Sequence, residues 1–106
     1  MKYKFENVRA LRKAQITPQD IILIKADYNY SVFHLLNGKK LTLAKTLMEC
    51  QLMLKTEPFF RPSRSYMINV EHLIKVKEHE VIMKNNYTTP ISRRRKDAFT
   101  EYLLNN

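Results

Sequence analysis

The chain has 106 residues, 44% of them apolar and 27% charged, which suits one globular domain with a single core and leaves little room for a second. Nineteen Lys and Arg against ten Asp and Glu give a formal charge of +9, so the partner is expected to be a polyanion, nucleic acid or an acidic membrane surface. The lone glycine, Gly38, excludes a Walker loop or Rossmann fingerprint in their usual form.

In chain order, the N-terminal "MKYKFENVRALRK" lacks the apolar core of a signal peptide, and no window approaches the roughly 18 unbroken apolar residues of a membrane span. A cytoplasmic location is expected. Residues 3 to 9 carry a weak strand signal, and "RKAQITPQD" reads as a lead-in loop. "DIILIKADYNYSVFHLLNGKKLTL" predicts strands at about 21–26, 29–36 and 39–43, with Asn37-Gly38 placed for a two-residue type I′ turn.

Thr46 followed by Glu49 is a capping-box pair, and Leu47, Cys50 and Leu54 recur at helical spacing until Pro58, which predicts one short internal helix. Cys50, the only cysteine, falls among these apolar positions and reads as core. In "FFRPSRSYMINV", apolar residues enclose a polar "RPSRS" segment that reads as a loop. Met67 to Val76, Val81 to Met83 and Tyr87 to Ile91 are strand-like, separated by "KEHE" and Asn85-Asn86. Phe99, Tyr102 and Leu103 share a helical face after Ser92, a candidate N-cap, so the chain is expected to end in a helix.

Nothing in this pattern suggests an enzyme. His34, His72 and His79 are scattered without metal-ligand spacing, and Glu78 and Glu80 suit a solvated turn better than an acid-base pair. The cations are more selective. Residues 61 to 96 contain nine Lys and Arg against three Glu and so supply six of the nine net charges. Arginine concentrates at Arg61/Arg64 and Arg93 to Arg95, and its planar fork suits phosphates and guanine edges. Arg93 to Lys96 also sit where a helix begins, and the helix dipole disfavours cations there unless an anion is near.

Three blocks carry a resemblance: Asn29-Tyr30; Phe60, Arg61, Arg64, Ser65, Tyr66 and Asn69; and Pro90, Ser92 and Arg93. In that order they resemble the LytTR DNA-binding domain of bacterial response regulators and related transcription factors, over about residues 18 to 104. The resemblance implies a mainly β fold of elongated antiparallel sheets with a short internal helix and a C-terminal helix, all 106 residues forming one domain. It also implies loops, in place of a recognition helix, that enter DNA grooves. The positions similar to the family's base readers are Tyr30, Arg64 and Arg93. Ser63, Ser65, Ser92 and Arg94 fall beside them as contacts, with Arg61 and Lys45 as supporting cations, while Tyr66 and Asn69 look like braces. Ser63 stands where the family usually has histidine, and Pro62 where it has a hydrophobic residue. Promoter direct repeats, a homodimer on DNA and a receiver or sensor domain in a longer parent are family-typical, and no cofactor is implied. An RNA-binding β domain using Tyr28, Tyr30 and Phe33 and a basic membrane-surface or protein-interaction module stay open as alternatives.

Overall fold

The computed structural model describes residues 9–54 and 58–105. The first pairing is local. β1 (Ile21–Asp27) and β2 (Tyr30–Leu35) form an antiparallel hairpin, and β3 (Lys40–Leu43) pairs with β2. The chain then crosses through α2 (Leu47–Met53), so that β4 (Phe59–Ser63) and β5 (Tyr66–Asn69) join the free edge of β1, giving the order β3-β2-β1-β5-β4. A second antiparallel sheet contains β6 (Leu73–Val76), β7 (Glu80–Met83) and β8 (Thr88–Pro90), followed by α3 (Arg93–Leu104).

The five-stranded sheet is the middle layer, which explains why Ile21 to Ile24 are all buried: β1 is covered on both faces. On one face, Ile21, Ile24, Phe33, Leu43 and Met67 pack against Leu47, Cys50 and Met53 of α2 and Leu11 of α1 (Arg9–Lys13). On the other, Ile22, Leu23 and Ile68 meet Val81 and Met83 of the second sheet and Phe99 of α3. A bulge between Ile21 and Leu23 lets two successive residues, Ile22 and Leu23, serve the same core. Extents of 37 × 30 × 27 Å give the domain one moderately longer axis.

Both predicted caps are present. The Thr46 side chain accepts from the Glu49 N–H while the Glu49 carboxylate accepts from the Thr46 N–H, and Ser92 Oγ accepts from the Arg95 N–H at 3.3 Å. Cys50 is fully buried, and burial raises its thiol pKa, as a core residue should behave.

Several expectations change. Arg9 to Lys13 are helical, where Arg9 was expected to end a strand and Arg12 and Lys13 to begin a loop, because Ala10 and Leu11 bury against the core; the rest of the strand expected near residues 3 to 9 lies outside the described residues. The β2–β3 connection has four residues, Leu36 to Lys39, with positive φ at Gly38 and not at Asn37, so it is not type I′. The Leu36 N–H donates to the Asp20 carbonyl and its carbonyl accepts from Asn85 Nδ2, which takes Leu36 out of the ladder.

The run from Met67 to Val76 is two strands in different sheets. Between them Asn69, 1% exposed, caps a 3-10 turn at Val70–His72 through the Glu71 N–H and donates to the Pro18 and Ile21 carbonyls. It is the brace expected of it, though it holds the sheet crossing and not the arginine turn.

Candidate nucleic-acid interface

The segment "RPSRS" is mostly strand. Arg61, Pro62 and Ser63 belong to β4, and only Arg64 and Ser65 form the turn to β5. Between Phe60 and Ser63 the pairing slips, so Arg61 and Pro62 of β4 oppose the single residue Met67 of β5. Pro62 fits this bulge on an edge strand because it has no N–H to leave unpaired.

Four segments meet at one end of the middle sheet. The β1–β2 turn carries Tyr28 and leads into Tyr30 at the start of β2, and the Ala26 N–H donates to the Ser65 carbonyl at 2.8 Å, which fastens the β4–β5 turn beside it. Ser31 Oγ donates to the Lys45 carbonyl at 2.7 Å and brings in the β3–α2 loop. The Ser92 N–H donates to the Pro62 carbonyl at 2.9 Å, which sets the start of α3 against β4. Tyr30, Lys45, Ser63, Arg64, Ser65, Ser92, Arg93 and Arg94 are thereby gathered from four separate stretches of chain.

Their side chains are not equivalent. Arg64, Arg93 and Arg94 are exposed and have no side-chain hydrogen bond or ion pair among the described residues. Tyr30 is half exposed at the start of β2. Ser92 is occupied as the α3 cap. Ser63 Oγ is shielded from solvent and has no partner among the described residues, so its hydroxyl is not on the surface.

Arg61 departs from the role of a free supporting charge. Its Nη2 donates to the Arg64 carbonyl at 2.8 Å and its Nη1 to Gln51 Oε1 at 3.2 Å, while its own carbonyl accepts from Arg95 Nη1 at 3.1 Å. Burial, and then the charge of Arg95, lower its pKa from the ordinary value, but a guanidinium remains cationic. Lys96 is similarly engaged, with Nζ donating to the Glu78 carbonyl at 2.6 Å. Half of "RRRK" therefore grips neighbouring backbone, which accounts for part of the charge placed at the α3 start.

Tyr28, considered from sequence only as a stacking aromatic, stands out at the same sheet end. Its ring is 97% exposed, and its backbone has φ of 57°, the left-handed region that non-glycine residues seldom adopt. An aromatic residue beside Asn29-Tyr30 was visible in the sequence; its backbone conformation was not. Of the three residues considered as a stacking platform, Phe33 is fully buried. No three His, Cys, Asp or Glu side chains gather as a metal site among the described residues, and none of their helices is long and apolar enough to cross a membrane.

The family profile for the LytTr DNA-binding domain matches residues 12–104. The chain belongs to the LytTR DNA-binding domain family. No curated protein sequence matches it. Among solved structures, this LytTR domain is similar to a LytTr DNA-binding domain from Bacillus cereus, described as part of a methyl-accepting/DNA response regulator. The TM-score is 0.70 at 20% identity, over 79% of this chain and 81% of that one, a likeness of fold. The antiparallel, mainly β architecture expected from sequence agrees with this likeness of fold.

Proposed function

We propose that this LytTR domain binds double-stranded DNA in a sequence-specific manner through its loops, as a transcription regulator or as the output domain of a two-component response regulator. The observation that carries the reading is the convergence of four segments at one sheet end, with Arg64, Arg93 and Arg94 exposed and unpaired among the described residues. Arg64 and Arg93 are assigned to base edges, Tyr30 to groove contact, and Arg94 and Lys45 to phosphates. The output role draws on the description of the Bacillus cereus protein. Binding to direct repeats, with two copies on one site, belongs to the same proposal, as do a cytoplasmic location and action by binding without catalysis.

The test is selection of bound duplexes from a random pool, followed by titration against salt. A repeated motif is expected among the selected duplexes, with affinity falling steeply as salt rises. Lys45→Ala should weaken selected and scrambled duplexes alike and reduce the salt slope by about one phosphate. Recovery of unrelated sequences with no salt dependence would end the proposal. Preference for single-stranded RNA over duplex would favour the RNA-binding alternative, although the burial of Phe33 removes one of its three aromatics from the surface.

A further inference from the structure

Arg61 stands where two of the four converging segments join. It lies in the β4 bulge, and its fork spans from Gln51 on α2 to the carbonyl of Arg64 at the tip of the turn. Its own carbonyl holds the Arg95 guanidinium, and the next carbonyl, that of Pro62, holds the Ser92 N–H. The backbone that presents Arg64 is thus tied to Arg61, and the start of α3 that presents Arg93 to Arg61 and to its neighbour Pro62.

A guanidinium suits this position for a geometric reason. Its donors are fixed in one plane, so bonding α2 with one prong and the turn with the other fixes the distance between them, which the flexible point charge of lysine cannot do. Both terminal nitrogens are bonded inside the domain, so a phosphate would have to compete with Gln51 and the Arg64 carbonyl for the fork.

We propose that Arg61 is a positioning residue for DNA recognition: its fork holds the Arg64 turn in register with the start of α3, so discrimination among sequences depends on its geometry and not on its charge. The inference rests on the DNA-binding reading above. Gln51 is the second member of the device, because it anchors the fork from α2.

The experiment compares the full chain with Arg61→Lys, Arg61→Ala and Gln51→Ala. The probe is a duplex that the unaltered chain selects from a random pool, with a scrambled duplex as reference, titrated across a salt series. Backbone 15N relaxation at Arg64 and Ser65 is measured on the free proteins. Arg61→Lys should lower the ratio of selected to scrambled affinity about tenfold, the scale of one charge-assisted hydrogen bond, while leaving the scrambled affinity and salt slope as they were. Fast backbone motion at Arg64 and Ser65 should rise in the same variant.

Gln51→Ala, on an exposed helical position that tolerates substitution, should move both readouts in the same direction by less. An Arg61→Lys protein with unaltered discrimination and turn dynamics would overturn the proposal. So would an Arg61→Ala protein whose salt slope falls by about one phosphate with its ratio intact, since that marks a direct phosphate contact. Failure of the unaltered chain to prefer any duplex would be a different result: it would remove the DNA-binding reading itself, and this proposal with it.

Discussion

The two arginine clusters are organised alike although they lie on different elements. At the β4–β5 turn, Arg64 is exposed while Arg61 bonds to Gln51 and to the Arg64 carbonyl. At the start of α3, Arg93 and Arg94 are exposed while Arg95 and Lys96 bond to the carbonyls of Arg61 and Glu78. Each cluster therefore contains cations that face outward and cations that hold the backbone beneath them. A count of charges in the sequence treats the two kinds as one.

The division can be tested from the outward side first, where the effect is largest. Arg93→Ala and Arg64→Ala should each cost about 1–3 kcal/mol of binding on the selected duplex and relax preference at one position, with the melting temperature unchanged. Equal losses on selected and scrambled duplexes would remove the distinction between readers and phosphate contacts.

The inward side should respond in stability. Arg95→Ala removes a part-buried, charge-assisted bond to the Arg61 carbonyl and should destabilise the domain by about 1–2 kcal/mol, read by chemical denaturation. If its stability matched that of the unaltered chain while binding fell, Arg95 would belong with the outward group. Ser92→Ala should cost about 1 kcal/mol through the lost α3 cap, whereas Ser92→Thr should restore most of it.

The smallest effect lies away from both clusters. His34 sits against the Tyr87 ring, with Lys25, Asp27 and Lys40 around the same hollow; burial, then Lys40 and Lys25, hold its pKa below the ordinary 6.5. The unfolded chain takes up this proton at higher pH than the folded one does. The His34 contribution is therefore complete above the unfolded pKa, declines as pH falls through it, and levels off below the folded value. Thermal melts across that window should show a shallower pH dependence for His34→Gln.

Legibility in the sequence followed the range of the interactions. The caps at Thr46 and Ser92 were readable because each partner is three residues away. The Asn37-Gly38 turn misled because Leu36 is held by Asp20 and Asn85, one earlier and one much later in the chain. Helix α1 is only five residues long, with Arg12 and Lys13 in its last turn, and depends on burial of Leu11. The engagement of Arg61 was hidden for the same reason, since two of its three partners, Gln51 and Arg95, lie on two separate helices. Motif order named residues that converge at one end of the middle sheet, but could not separate the outward cations from the inward ones.

Tyr28 has a consequence for how this domain could change under selection. Its ring adds nothing to either core, and an L-residue in the left-handed region is strained by roughly 1–2 kcal/mol relative to glycine. Selection for heat resistance alone should therefore replace Tyr28 early, with glycine or asparagine. Retention of the aromatic ring through such an experiment, when binding is also demanded, would mark position 28 as a point where endurance and recognition pull in opposite directions.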